Sequence, residues 1–151
     1  MHFETPFGPA WASIDGSGAV TAFSFSAGEG RGGSNPGVAR QIEEFFAGKR
    51  HAFDLPLAPK GSDFQKRVWA ELVKIPFGET ISYGELARRI GNPAASRAVG
   101  RANATNPIAL IVPCHRVIGS NGKLTGYAGG IDLKEKLLIW ERRHVQCEIY
   151  I

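Results

Sequence analysis

Cysteine is scarce: Cys114 and Cys147 are the two in 151 residues. Two thiols this far apart make no disulfide framework, so reduced cysteines are expected. Histidine is scarce too, and none of His2, His51, His115 and His144 pair at a metal-ligand spacing, so no zinc or other metal is expected. No apolar run approaches the ~20 residues that cross a bilayer. Residues 1–12 lack the basic start and apolar stretch of a secretion signal, so a cytoplasmic protein with no membrane partner is expected. The glycines at 28, 30, 32, 33 and 37 have neither the Lys-Ser/Thr of a phosphate-binding loop nor dinucleotide spacing, and read as a flexible connection.

Apolar residues are not lacking. At 43% hydrophobic and 21% charged, the chain has the makings of a packed core. The net charge of +4 is unevenly placed. Residues 1–60 carry 5 Lys and Arg against 6 Asp and Glu, whereas residues 61–151 carry 13 against 8. A basic second half permits a polyanionic partner, and equally a solvated basic face.

The first half reads as strand-rich. Trp11 to Ile14 and Val20 to Phe25 flank Asp15-Gly16-Ser17-Gly18, which predicts a β-hairpin. Val38, Ile42, Phe45 and Phe46 recur at helical spacing before Gly48. His51 to Leu57 predicts a short strand, and Pro56-Leu57-Ala58-Pro59 breaks the chain. The expected division is an N-terminal α/β domain over 1–58 and a C-terminal domain over 62–151.

The second half reads as helical. Ser62 with Gln65, and Ser82 with Glu85, are capping boxes. The first precedes the apolar face Phe64, Val68, Trp69 and Leu72; the second precedes Leu86, Ala87 and Ile90. Gly91-Asn92-Pro93 stops that helix and a second runs from Ala94 to about Ala104, a helix-turn-helix pattern. Its small residues, with Arg97 and Arg101 on one face, suit close approach to a nucleic-acid backbone, or tight packing inside a protein. Asp132 is placed to cap a final helix bearing Leu133, Leu137, Leu138 and Glu141.

Ile108 to Val112 reads as a buried strand or extended segment, ending in Pro113 and the polar trio Cys114-His115-Arg116. A Cys-His dipeptide alone is more often a structural cysteine beside a surface histidine. Glu141 shares the inward stripe of Leu137 and Leu138, and a buried carboxylate needs a partner. Glu141, His115 and Cys114 together suggest a relay in which the carboxylate orients the imidazole and the imidazole draws the thiol proton. An arginine or a backbone amide would satisfy Glu141 equally well.

Taken in order along the chain, these residues resemble the O6-alkylguanine-DNA alkyltransferases. The resemblance covers about residues 62–141 and centres on Val112-Pro113-Cys114-His115-Arg116-Val117-Ile118. Pro76-Phe77-Gly78-Glu79, Ser82-Tyr83-Gly84, Ser96-Arg97-Ala98-Val99-Gly100, Asn106-Pro107 and Gly126-Tyr127-Ala128-Gly129-Gly130 support it, and Lys134, Leu137, Leu138 and Glu141 complete it. It implies an α+β fold: a small antiparallel-sheet domain with a helix, ribonuclease-H-like, packed on a helical, winged-helix-like domain.

It implies DNA repair by direct reversal. The alkyl group of O6-alkylguanine, and of O4-alkylthymine, passes irreversibly to Cys114, once per molecule and without a cofactor. Glu141 and His115 would activate the thiol through a water, Asn106 would form a hinge, and Tyr83 would assist base rotation and donate a hydrogen bond to the departing guanine. Arg97 would fill the gap left by the flipped nucleotide, with Ala95, Ser96, Arg101 and Arg116 as further DNA contacts. Val117, Tyr127, Ala128 and Gly129 would line the guanine pocket. The partner would be double-stranded DNA, bound by a monomer. Three rivals stand beside this reading: a lesion sensor, which would replace the cysteine; a thiol hydrolase, which leaves the Arg97 helix unexplained; and a helix-turn-helix regulator, which leaves Cys114 and Glu141 without a purpose.

Overall fold

The computed structural model describes residues 1–124, 127 and 130–149, with the side chains of 146–149 left out of the description. The chain forms two compact units. One comprises Met1–Lys60 with Pro107–Ile111, and the other Gly61–Asn106 with Val112–Ile151.

The first unit is built on an antiparallel sheet of β1 (His2–Thr5), β2 (Gly8–Ile14) and β3 (Val20–Ser24), in that order. The hairpin turn forms where the sequence places it. Asp15 accepts from the amides of Ser17 and Ala19, an Asx-type turn. Alternation sends Ala10, Ala12 and Ile14 of β2 into the core, and a register shift between Ser13 and Ile14 lets both Val20 and Phe23 of β3 join them. Helix α1 (Pro36–Phe46) starts on an Asn35 cap with proline in its first turn, and buries Val38, Ile42 and Phe45. β1 is an element that sequence reading did not anticipate, since only Phe3 of its four residues is buried.

Two expected strands do not form. Of His51–Leu57 only Leu57 bridges, to Val20; of Ile108–Val112 only Ile108 bridges, to Phe23. Both segments dock on the open edge of β3. The Val20 amide donates to Pro56 O (2.8 Å) and the Phe23 amide to Pro107 O (2.9 Å). Covering an exposed edge satisfies its amides and removes a template for aggregation. After Ile108 the backbone turns sharply, with Leu110 at φ 68°, so the apolar run is buried without being extended.

The Gly-rich segment is not a loose connection. β1 covers β2 only as far as Trp11; beyond it, the Ile14 amide donates to Arg31 O (2.9 Å) and the Gly33 amide to Ile14 O (2.8 Å). Gly32 has φ +97°, and a Cβ there would sit 1.8 Å from the Ile14 carbonyl oxygen. Gly32→Ala should therefore lower stability by about 2 kcal/mol or more, by positive φ plus steric displacement. Gly16→Ala, which meets nothing within 4 Å, is the near-neutral control. Matching denaturation midpoints for the two variants would show that the loop is not held on the sheet.

In the second unit, Ser62 and Gln65 form a complete capping box opening α2 (Asp63–Leu72). The box at Ser82 is half made: its hydroxyl accepts from the Glu85 amide, but the Glu85 carboxylate turns to Arg88 and Arg89. α3 (Tyr83–Arg89) and α4 (Ser96–Ala104) form the helix-turn-helix, broken at Gly91 with φ +82°. A short parallel pair, β4 (Ile81–Ser82) and β5 (Val117–Ile118), ties the start of α3 to the segment after Cys114. α5 (Ile131–Ile149) is the last helix; Asp132 lies inside its first turn rather than at its cap. Among the described residues no helix is long and apolar enough to cross a membrane.

Candidate active site

The polar trio sits in a single 3-10 turn, Cys114–Arg116, directly before β5. Pairing of Val117 with Ile81 anchors one side of the turn. The other side is held by asparagines: Asn103 donates to Cys114 O (3.3 Å) and Asn106 Nδ2 to Val112 O (2.8 Å). The chain leaves this unit after Asn106 and re-enters it at Val112, so the Asn106 amide clips exit to entry. Asn106 also hydrogen-bonds the Cys114 side chain. Asn103 was missed by sequence reading; its signal is its place beside Val99 and Ala102 on the buried stripe of α4.

Glu141 is almost fully buried and collects four donors. His115 Nε2 lies 2.5 Å from Oε2; Arg116 reaches Oε1 through Nε (2.9 Å) and Oε2 through Nη2 (3.1 Å); the Gly78 amide reaches Oε1 (3.0 Å). The histidine, the arginine and the backbone amide, which sequence left as alternatives, are all used. Burial alone would push this carboxyl up, but His115 and Arg116 outweigh it and hold its pKa at about 2. Arg116, expected among the DNA contacts, is instead internal: it is buried, and Nη1 donates to Ile75 O (2.7 Å). A guanidinium two residues from a buried thiol is drawn inward because the buried carboxylate requires a countercharge.

His115 is fully buried, and burial lowers its pKa, with its hydrogen bond to Glu141 acting the other way. The ring is therefore neutral near pH 7. Its Nδ1, turned from Glu141, has no hydrogen-bond partner among the described residues. Burial also pushes the Cys114 thiol up to about 11, so a neutral thiol adjoins an uncharged imidazole in the sequence of this turn. Such a pair is able to generate a thiolate on demand while keeping the resting sulfur unreactive.

Val117, at the start of β5, is buried and Tyr127 nearly so. Burial, then the negative charge available at Cys114 and Glu141, raises the Tyr127 phenol well above its ordinary range. Tyr83 is half-buried at the start of α3. Arg97, Arg101 and Ser96 are exposed on α4, and Ala95 stands half-buried at its first turn, which has no side-chain cap. Ala128, Gly129, Gly126 and the Cys147 side chain lie outside the described residues. Among the described residues no cluster of three His, Cys, Asp or Glu could hold a metal.

A family model described as the DNA-binding domain of 6-O-methylguanine DNA methyltransferase matches residues 63–143. The methylated-DNA–protein-cysteine methyltransferase of Methanosarcina acetivorans is 66% identical over 101 residues, covering 67% of this chain and 65% of that protein. The Methanosarcina mazei protein of the same name is 61% identical over 109 residues, 72% of this chain and 69% of its own length. The match thus spans just under two thirds of the first of these relatives and slightly more of the second. Among solved structures, Mycobacterium tuberculosis OGT in complex with DNA superposes with a TM-score of 0.86 at 45% identity, covering 95% of this chain and 92% of that one. An O6-methylguanine DNA methyltransferase from Methanococcus jannaschii gives 0.67 at 29% identity, covering 94% and 93%.

Proposed function

The chain belongs to the 6-O-methylguanine DNA methyltransferase family, and we propose that it repairs double-stranded DNA by moving the alkyl group of O6-alkylguanine onto Cys114, once per molecule. One observation carries this reading. A buried cysteine, an uncharged histidine and an ionised, fully paired glutamate occupy one rigid cluster in the same unit as an exposed arginine helix.

The sulfur attacks the alkyl carbon as the carbon–O6 bond breaks. The thiol proton passes toward His115 Nδ1, the one ring nitrogen not engaged by Glu141, and Tyr83 donates a hydrogen bond to the departing guanine, which takes up one proton from solvent as the His115 imidazolium gives one back. A thioether forms that no group in the site reverses, so turnover is not expected. The alkylated oxygen lies inside the duplex, so the nucleotide must be turned out of the stack. Arg97, with Ser96, Ala95 and Arg101 beside it on α4, supplies the side chain that fills the space left behind and the phosphate contacts around it. Val117, Tyr127, Ala128 and Gly129 form the base pocket, and O4-alkylthymine is the second substrate. No cofactor is required, because guanine is the leaving group. The protein acts as a monomer in the cytoplasm.

Incubation with a duplex containing O6-methylguanine should add one methyl mass to the peptide containing Cys114 and release no free methanol. Intact protein and intact lesion with no adduct would exclude repair, and tight binding without transfer would favour a sensor.

A further inference from the structure

We infer that Asn103 is a positioning residue that registers the nucleophile against the DNA-contacting helix. Its side-chain amide fixes the Cys114 turn to α4, so a duplex seated on α4 presents its lesion to the sulfur at a set place. This rests on the reading that Cys114 takes an alkyl group from duplex DNA.

Stability does not explain this amide. Asn103 is almost fully buried, and its Nδ2 donates to Cys114 O at 3.3 Å. That carbonyl also accepts from the Val117 amide, so it is satisfied without the asparagine. A carbonyl only accepts, so the amide nitrogen is turned to it, and Oδ1 is left with no hydrogen-bond partner among the described residues. A buried acceptor left dry costs more than one neutral hydrogen bond returns. An apolar side chain of similar shape, like its stripe neighbours Val99 and Ala102, would serve the fold at least as well.

What the amide supplies is a tie between two functional parts. α4 exposes Ser96, Arg97 and Arg101, and carries Asn103 on its buried side. Arg97 and Asn103 stand six residues apart on one unbroken helix, about 9 Å along its axis. The end bearing Asn103 is held fast. Trp69 Nε1 donates to Ala102 O (2.8 Å), the Thr105 hydroxyl to Arg101 O (3.0 Å), and Gln65 Nε2 to the Thr105 oxygen (3.1 Å). Asn106 lies beyond the last residue of α4 and holds Val112 O, whereas Asn103 reaches the nucleophile's own carbonyl from the helix itself. For a nucleotide in a duplex, contacts on α4 decide where the turned-out base arrives, and the sulfur must be in register with that helix. A free base docks by its pocket alone and needs no such register.

The test compares the two kinds of substrate in single turnovers. Misplacing a reacting group by about 1 Å can slow a reaction about 100-fold, and Asn103→Leu should slow transfer from a saturating O6-methylguanine duplex about tenfold. Affinity for the undamaged duplex, and reaction with the free bases O6-methylguanine and O6-benzylguanine, should each stay within about twofold of the parent. The melting temperature should not fall. Should leucine prove too bulky to fold, Asn103→Ala, which adds no atoms, is read in the same way. A parent-like rate on the duplex would overturn the inference. So would equal slowing on duplex and free base, the mark of a merely structural role, or a loss confined to duplex affinity. A parent protein that transfers from no substrate removes the repair reading and this inference with it. A parent that transfers, beside a variant without the split, removes this inference alone.

Discussion

Glu141→Ala should cost the protein about 3–5 kcal/mol, the range for removing one partner of a buried ion pair. The substitution strands the Arg116 guanidinium, His115 Nε2 and the Gly78 amide in a site with almost no solvent contact. Against a typical total of about 5–15 kcal/mol this is a large fraction. A melting-temperature drop on the order of 10 °C or more is expected by calorimetry. Glu141→Gln retains an acceptor for the Gly78 amide and should fall between the two. A Glu141→Ala protein melting within about 2 °C of the parent would show that the carboxylate is not the ionised hub of this cluster.

The same group sets a pH window. Its folded pKa of about 2 lies below the ordinary 4.5, so the folded state binds the proton more weakly than the unfolded chain. The stabilisation is complete above pH 4.5 and is lost as the pH falls toward 2. Glu141→Gln should therefore show a flatter dependence of stability on pH between those values. Loss of transfer activity in either variant should accompany loss of the fold, because orienting His115 and neutralising Arg116 are done by one carboxylate.

Arg97→Ala should have the opposite character, with stability nearly unchanged and repair of duplex DNA strongly impaired. The side chain is exposed on α4, and the buried stripe of that helix, Val99, Ala102 and Asn103, lies elsewhere on it. Unstacking a nucleotide costs a few kcal/mol, so removing the group that fills the vacated space should slow transfer from a duplex on the order of 100-fold. Reaction with free O6-benzylguanine, which needs no flipping, should change less than about threefold. Equal losses on the two substrates would remove Arg97 from the flipping step and make it an ordinary phosphate contact.

Much of the architecture is legible in the residues because it depends on local chemistry. Asp15 to Gly18 makes its turn, Ser62 and Gln65 make their reciprocal cap, and Gly91 breaks the helix pair, each through neighbours a few positions away. The segments that misled are those whose hydrogen bonds go to distant partners. Leu57 and Ile108 look like strand residues, and each contributes one bridge to β3, because an edge amide donates to whatever carbonyl the fold presents. The glycines at 30 and 32 were unreadable for the same reason: what forbids a side chain there is the backbone of Ala12 and Ile14, some eighteen residues away.

The site divides along the same line. Sequence alone set Cys114 beside His115, and the helical stripe at Leu137 and Leu138 carried Glu141 inward with them; the resemblance to a known family, not the dipeptide, made the thiol the expected acceptor. Sequence also determined that Arg97 and Arg101 share one helical face. Only the tertiary structure decided that Arg116 serves Glu141 rather than a phosphate, and that Asn103 and Asn106 brace the turn carrying the thiol. Spacing along a chain fixes which face a side chain occupies. Which opposite charge it meets there depends on elements brought together from 25 or more residues away, and a buried charge is tolerated only where that meeting occurs.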